Sequence, residues 1–495
     1  MIDEPRSRWR WVAAVGALVA MRAAHLAQST TLPFLRGPIF DSEVYLAQAR
    51  SLVGGHVGDA TLLAFSPLYG VMLALCGGGR GWLLPVIAQL LLGVATVALL
   101  FVVARRAAGD RGAWLSAVLL AGYGVPLFYE TKIMSETLGL GLALAGYALF
   151  LSSEREVGGV RRAAAAGVVL ALAILARASL LFAGPLFVVA ALLPWRRAGL
   201  ALPARATRAA ALAGGMALVL GAHGLVNLVA AGRFVPVIMV SRTAAVATRS
   251  GGAGDFRVYA REAGGDVSAW DVVTQAERRL RGEVPPETGG PLFGVDAGGW
   301  LRGLPTKVAR TFSDTERSFD YGYYGERGEL GVLGALPFSF GLFALLGLLG
   351  AVALVRREGA WSLVPHAPLL LGTLATTTIF YATTRYRLPM VLPLLVLAAH
   401  LVPAPEELAA ARPRLVAAAL AVLVFSSLTW MRRLERPAAW QLRVAEAAAV
   451  AGDGAEVARR IERARALAPD DADTEHRIAY VRARAAHPAP LPAWP

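Results

Sequence analysis

The sequence predicts an all-α polytopic membrane protein, and three observations support this fold class. Of the 495 residues, 56% are hydrophobic and 17% are charged, whereas soluble domains carry about 25% charged residues. The mean hydropathy is +0.53. The apolar residues form blocks of roughly 20, which is the length of a membrane-spanning helix. No block shows the strict alternation that is typical of a strand.

About eleven apolar segments are candidate membrane spans, with ends defined to within a few residues. The first is longer than a signal peptide and contains Arg22 and His25, so we expect a retained helix. The fifth and sixth are short and meet at Arg177, where they form either two helices or one bent or re-entrant feature. The segments are 9–29, 82–104, 112–129, 137–152, 162–176, 178–194, 208–231, 331–355, 361–381, 388–403 and 413–431.

The positive charge of the chain follows its predicted topology. The formal net charge is +14, the pI is about 10.5, and all but two of the 49 basic residues are arginines. The positive-inside rule places the arginine-rich short loops in the cytoplasm, so the charge does not indicate nucleic-acid binding. These loops are 105–111, 161–162, 196–208 and 356–357. The longer segments 30–81 and 232–330 then face outward.

This topology divides the chain into four parts. A single cysteine, Cys76, excludes an internal disulfide framework and a cysteine-based zinc site. The parts are an N-terminal transmembrane module (1–231) with the outer loop 30–81, an extracytoplasmic domain (232–330), C-terminal transmembrane helices (331–431) and a helical tail (432–495).

The tail is rich in Ala, Arg and acidic residues, and 440–469 resembles one tetratricopeptide repeat. A single repeat does not bury its own apolar face, so we expect the tail to dock elsewhere or to recruit a protein partner. Its side of the membrane is left open. Eleven spans put it outside, whereas Arg432, Arg433 and Arg436, directly after the last span, favour the inside.

Two acidic residues lie in the stretch 38–53 of the first outer segment. Asp41 and Glu43 precede apolar residues with helical spacing, which predicts a short amphipathic helix on the membrane surface. Such a helix would hold both carboxylates where a lipid-borne substrate meets a soluble acceptor. The alternative is that Asp41 is an ordinary helix N-cap.

A second charged group lies between the third and fourth spans. Glu130, Lys132 and Glu136 stand at a membrane boundary, where charges are costly unless they pair or face water. Two interpretations remain open. Lys132 pairs with Glu130 or, at i,i+4 spacing, with Glu136, or the acids form a second wall facing Asp41.

Three arginines on the outer side run against the positive-inside trend. They are Arg177, Arg385 and Arg387. A guanidinium suits bidentate phosphate binding, and the alternative is snorkelling toward lipid headgroups. The sequence contains no P-loop, GxSxG or GxGxxG motif in the required context, so nothing indicates a soluble nucleotide donor.

Seven segments in order along 9–403 resemble the GT-C membrane glycosyltransferases, specifically the family 39-like group of protein-mannosyltransferases and aminoarabinose transferases. The family often has Asp-Glu at the start of its first loop, where this chain has Asp41-Ser42, and proline after the junction arginine, where this chain has Ala178. The segments are FDSEVYLAQARSLVGG, FSPLYGVMLAL, FYETKIMSETL, AILARASLLFAGPL, NLVAAGRFVPV, WLRGLPTKVARTFSDTE and TRYRLPMVLPLL.

The resemblance implies a GT-C-type bundle with a small outer domain, in a bacterial-type inner membrane, with its active site on the extracytoplasmic side. The implied reaction moves a sugar from a polyprenyl-phosphate donor to a hydroxyl of a lipid, glycan or protein. Outer aromatic residues would pack against sugar rings or form core. These aromatics are Phe319, Tyr321, Tyr323 and Tyr324.

Residue roles follow from the same resemblance. Asp41 would act as general base in an inverting displacement. Arg385, with Arg177, Lys132 or Arg387, would stabilise the leaving phosphate. Acids that orient the acceptor or hold a divalent cation would be Glu43, Glu130 and Glu136; the sequence leaves the cation open.

Two other classes compete with this interpretation: a transporter or flippase of lipid-linked sugars, and a non-catalytic membrane scaffold. Transporters show internal repeats and polar residues at the membrane midplane. This chain shows no repeat between its halves, and its notable charges cluster near one membrane face, which favours the enzyme.

Overall fold

A computed structural model describes residues 5–154, 159–195, 200–238, 281, 297–316, 318, 320–380, 382–402 and 437–486. Within these residues the regular secondary structure is α-helix and short 3-10 helix, with one isolated bridge between Tyr123 and Phe338. The predicted all-α class is confirmed.

The helices are numbered here in chain order. They are α1 (Pro5–Ser29), α2 (Asp41–Val53), α3 (Ala60–Ala64), α4 (Pro67–Leu75), α5 (Leu83–Ala121), α6 (Gly124–Glu130), α7 (Glu136–Ser152), α8 (Gly159–Ala176), α9 (Ala183–Leu192), α10 (Leu202–Ala231), α11 (Ala297–Thr311), α12 (Tyr323–Glu329), α13 (Gly331–Ala335), α14 (Phe340–Glu358), α15 (Ala367–Ile379), α16 (Thr384–Ala398), α17 (Pro437–Val450), α18 (Gly454–Leu467) and α19 (Ala472–Ala486).

Among the described helices, five are long and apolar enough to cross a membrane, and shorter apolar helices accompany them. The chain is therefore a multi-pass membrane protein. The five segments are Trp9–Ser29, Leu83–Ala121, Gly159–Ala176, Leu202–Ala231 and Phe340–Glu358. The total of about eleven stays a prediction, and the segment 413–431 lies outside the described residues.

Several helix ends differ from the predicted ones. The second predicted span and the first half of the third lie in α5, which is interrupted at Gly109 by a φ of 78° and a ψ of −178°, a positive φ that favours glycine. Most of the rest of the third predicted span lies in α6. The eighth predicted span is split, because Pro337 lies in the non-helical link between α13 and α14. The junction at Arg177 separates α8 from a short 3-10 helix and α9, as two helices.

Helix α2 is not the surface helix that its sequence suggests. Nine of its side chains are buried, including those of Ser42, Glu43 and Gln48. It packs closely against α4, since a Cβ added at Gly70 would lie 2.7 Å from the Gln48 Oε1 atom. The prediction of an amphipathic surface helix is therefore wrong, because other parts of the chain cover most of the side chains of α2.

The described tail forms three helices with a small core of their own, built largely from Ala, Leu, Val and Ile side chains. Helix α17 is buried over almost its whole length. Trp440, Val444 and Ala447 from this helix belong to the main core of the protein, together with Phe34 and Leu35. The tail therefore docks on the segment that leads into α2, and lies on the same side as Asp41. Its tetratricopeptide character stays a prediction.

Candidate active site

Asp41 and Arg385 form the centre of the site. Helix α2 begins at Asp41 itself, and its N-cap residue, Phe40, makes no side-chain capping bond. The Asp41 carboxylate is directed to the neighbouring helix end, where its Oδ2 atom lies 2.6 Å from Arg385 Nη1. The two side chains keep 19% and 18% of their area exposed, so solvent and a substrate can reach them. Asp41 is not the simple helix cap that the alternative predicted.

The backbone on either side of this contact is held in place. Phe40 has a φ of 55°, in the left-handed region, where a bulky residue costs about 1–3 kcal/mol and which recurs at functional sites. Arg385 lies in the first turn of α16, where the Thr383 side chain accepts a hydrogen bond from the Tyr386 backbone N–H and caps the helix. Both charged groups therefore project from the first turn of a helix.

Asp320 joins the site, and sequence reasoning missed it. Its Oδ2 atom lies 3.4 Å from Arg385 Nη1. Its Oδ1 atom accepts hydrogen bonds from Ser318 Oγ at 2.6 Å and from the Tyr321 backbone N–H at 3.0 Å, which fix its orientation. The available signal is the acid inside the aromatic run FDYGYY.

Glu136 and Arg177 lie next to Arg385, beside the contact with Asp41. Arg177 Nη1 lies 2.6 Å from Glu136 Oε1, and its Nη2 donates to the backbone oxygen of Arg385 at 2.8 Å. Glu136 Oε1 is also 4.0 Å from Arg385 Nη1. The Tyr386 ring stacks near both guanidinium groups, with Cζ-to-centroid distances of 5.6 Å for Arg177 and 5.3 Å for Arg385. The two arginines are thus held side by side.

Hydrogen bonds join α2 to the segment between α6 and α7. Ser42 Oγ donates to the Ile133 carbonyl at 2.8 Å and contacts the Tyr321 hydroxyl at 2.5 Å. The Tyr45 hydroxyl donates to Ser135 Oγ at 3.2 Å. These bonds fix Asp41 relative to Glu136. The Tyr321 hydroxyl takes part in these bonds, and its ring is buried in the core. The ring is therefore not exposed for packing against a sugar.

Burial and charge act together on the titratable groups of the site. Burial, with the nearby carboxylates of Asp41 and Glu136, raises the pKa of the Tyr45 phenol above its ordinary value. Burial alone would lower the pKa of Arg385, but Asp41 and the other surrounding groups raise it well above its ordinary value. Tyr45 therefore stays neutral and Arg385 stays charged at neutral pH.

The remaining candidate cations have acidic partners of their own. Lys132 Nζ lies 2.8 Å from Glu326 Oε2, and the pair is almost fully buried. Arg387 Nη2 lies 2.8 Å from Glu316 Oε2, and this guanidinium also donates to backbone carbonyls of residues 311–315. Neither predicted partner of Lys132, Glu130 or Glu136, is the one it contacts.

The other two candidate acids are also paired. Glu130 binds Arg22 of α1 at 2.8 Å, and with Glu136 it lines a cavity between α1, α5 and α7. Glu43 binds Arg484 of α19 at 2.6 Å. Within the described residues no three His, Cys, Asp or Glu side chains are grouped so as to hold a metal ion.

Fold and site together define a multi-pass helical membrane protein with an accessible Asp–Arg pair beside buried ion pairs. No family model matches its sequence, and no curated protein matches it either. Among solved structures, it is similar to ArnT from Cupriavidus metallidurans bound to undecaprenyl phosphate. The identity is 14% and the TM-score 0.41, over 97% of this chain and 77% of that chain.

It is also similar to the archaeal oligosaccharyltransferase AglB from Archaeoglobus fulgidus, in complex with an inhibitory peptide and a dolichol-phosphate. Here the identity is 13% and the TM-score 0.46, over 99% of this chain and 60% of that chain. Both are GT-C glycosyltransferases, the superfamily that the sequence resembles.

Proposed function

We propose that this protein is an integral-membrane glycosyltransferase that moves a sugar from a polyprenyl-phosphate donor to an acceptor hydroxyl on the extracytoplasmic side. The observation that carries the proposal is the accessible contact between Asp41 and Arg385. A carboxylate can take the proton of an attacking hydroxyl, and a guanidinium can bind phosphate. These are the groups needed at the two ends of such a transfer.

Donor binding separates the pair. The donor phosphate contacts Arg385 and replaces one of its carboxylate partners, Asp41. Asp320, Glu136 and the Tyr386 ring remain around the guanidinium and keep its orientation. The Asp41 carboxylate is then free to accept a proton, so the base becomes available only when the donor is in place.

The transfer is a single displacement. Asp41 removes the proton of the acceptor hydroxyl, and the hydroxyl oxygen forms a bond to the anomeric carbon. The bond from that carbon to the phosphate oxygen breaks, and its electron pair stays on the leaving polyprenyl phosphate. Arg385 stabilises the charge that develops there. Attack opposite to the leaving group inverts the anomeric configuration.

The neighbouring charges have supporting roles in this proposal. Arg177 positions Arg385 through its backbone oxygen, and Glu136 holds Arg177. For Lys132, Arg387 and Glu130, we propose structural roles in place of direct donor contacts, because each has a buried ionic partner. An acceptor-orienting group then has to come from elsewhere, and Asp320 is the acid best placed to supply it.

The test uses the purified protein with a panel of radiolabelled polyprenyl-phosphate sugars and acceptor lipids. Release of free polyprenyl phosphate is the readout. The wild type should release it from one member of the panel, and Asp41→Asn should abolish release. Asp110→Asn is a matched control, since Asp110 is an exposed acid in the link around Gly109. Asp41→Asn activity equal to that of the wild type would contradict the assignment of the base.

A second candidate is transport of a lipid-linked sugar, which the buried Arg22 inside the spanning helix α1 favours, because charges inside spanning helices often mark transport paths. Reconstitution in vesicles separates the two. Movement of labelled donor between leaflets without release of polyprenyl phosphate would favour the transporter. Release without movement favours the transferase.

A further inference from the structure

The docked tail contacts the site on the Asp41 side. Arg484 Nη2 of α19 lies 2.6 Å from Glu43 Oε1 of α2, two residues after Asp41. The Glu43 side chain is 8% exposed and that of Arg484 is 20% exposed. Glu43 is thus largely withdrawn from solvent, and its carboxylate is engaged by the tail.

The tail also contacts the chain on the Asp320 side. Arg443 Nη1 donates to the Ser318 carbonyl at 3.3 Å, two residues before Asp320. Arg460 binds both oxygens of Glu329, at 2.7 and 3.1 Å. Trp440 Nε1 donates to Glu329 Oε1 at 2.7 Å. Two of the three acids around Arg385, Asp41 and Asp320, therefore belong to segments held by the tail.

The docking surface is shaped for close backbone approach. A Cβ added at Gly37 would lie 1.8 Å from the Ala447 carbonyl oxygen, and one added at Gly325 would lie 2.1 Å from the Trp440 ring. The Trp440 ring also packs near Phe34, with centroids 5.5 Å apart. Glycine at positions 37 and 325 permits this close approach to Ala447 and Trp440 of the tail. The tail is therefore packed tightly against the rest of the chain.

We propose that the tail, residues 437–486, is an extracytoplasmic positioning unit that holds α2 and the 318–329 segment, and so sets the distances between Asp41, Asp320 and Arg385. Glu43 and Arg484 are positioning residues, and the Glu43 carboxylate does not contact the acceptor. This inference rests on the proposed transfer reaction, because positioning is measured through it.

The first test is a charge exchange in the full-length protein. Arg484→Glu and Glu43→Arg should each lower kcat by about 10- to 100-fold, since a displacement of about 1 Å at a site can cost that much, while KM for the donor changes little. The double variant restores opposite charges and should recover most of the rate. Arg482→Glu, an exposed neighbour on α19, is the matched control and should match the wild type.

Single variants with wild-type kcat would overturn the proposal, and so would a double variant no faster than the singles. If Glu43 contacted the acceptor, the exchange would not restore activity. These results are distinct from failure of the proposed function, in which the wild type itself releases no polyprenyl phosphate from any donor.

A second test needs no activity. In a Cys76→Ala background, Ala483→Cys on the exposed face of α19 should react with a membrane-impermeant maleimide added to intact cells. Glu358→Cys, at the exposed end of α14, should react only after the cells are opened. Protection of position 483 in intact cells would place the tail in the cytoplasm and overturn the proposal.

Discussion

The Asp41 carboxylate and the Arg385 guanidinium are in direct contact, with Oδ2 and Nη1 2.6 Å apart, across 344 residues of sequence. Because a phosphate and a carboxylate compete for the same guanidinium donors, the proposed reaction couples donor binding to release of the Asp41 carboxylate. In that proposal, Arg385 faces the leaving group once the donor is bound.

Replacing Arg385 should lower the transfer rate even when the positive charge is kept. Arg385→Lys keeps the charge but loses the planar guanidinium, whose Nη1 atom contacts both Asp41 and Asp320. We expect kcat to fall by about 10²- to 10³-fold, the loss typical of removing a group that stabilises transition-state charge. Release of polyprenyl phosphate at saturating donor measures it. Arg106→Lys, in an exposed stretch of α5, should have no effect.

The buried Lys132–Glu326 pair should matter for stability more than for chemistry. Lys132→Met leaves the Glu326 carboxylate buried without its cation, and we expect a loss of about 3–5 kcal/mol in unfolding free energy. The double variant Lys132→Met/Glu326→Gln should recover most of the stability and of the transfer rate. Thermal unfolding and activity are measured on the same samples. A stable but inactive double variant would instead indicate that Lys132 binds the donor phosphate.

Docking of the tail should weaken in acid. Burial opposes ionisation of Glu329, but hydrogen bonds from Arg460 and Trp440, with the nearby charges of Arg460 and Arg463, lower its pKa below the ordinary value of 4.5. Its contribution to docking is therefore fully present above pH 4.5 and is lost as the pH falls through the lowered pKa. Hydrogen exchange of α18 as a function of pH should show this loss.

Glu329→Gln provides the control for this pH dependence. The variant should show lower protection factors in α18 at neutral pH and a smaller loss of protection in acid, where the protection factor is the ratio of the intrinsic to the observed exchange rate. Exchange in α14, which lies away from the tail interface, should be the same in both proteins. An unchanged acid response in the variant would assign the effect to another group.

Position 37 should not tolerate a side chain, because Gly37 lies close to the backbone of α17. Gly37→Ala would place a methyl group 1.8 Å from the Ala447 carbonyl oxygen, so α17 must shift. Overpacking of this kind costs about 1–3 kcal/mol, and limited proteolysis should cut the tail faster. Gly454→Ala, where a Cβ meets nothing within 4 Å, should leave the cleavage rate unchanged. Equal rates in the two variants would argue against tight docking.

Some errors of sequence interpretation have simple geometric causes. The i,i+4 rule suggested that Lys132 pairs with Glu136, but α6 ends at Glu130 and α7 begins at Glu136. Lys132 therefore lies in a connection where helical spacing does not apply. An aspartate before a helical pattern is typical of an N-cap, but the helix begins at Asp41 and its side chain is directed to Arg385.

The sequence by itself determined the all-α membrane class, because a chain in lipid must satisfy its backbone hydrogen bonds internally and long apolar blocks do so as helices. It also singled out Arg177 and Arg385, whose charges run against the positive-inside trend, and Asp41, through the family resemblance of the first outer loop. Only the tertiary structure decided which charges meet. The contacts of Arg385 with Asp320 and of Glu43 with Arg484 join residues far apart in the chain. Such contacts depend on how helices pack, and no local sequence period encodes that.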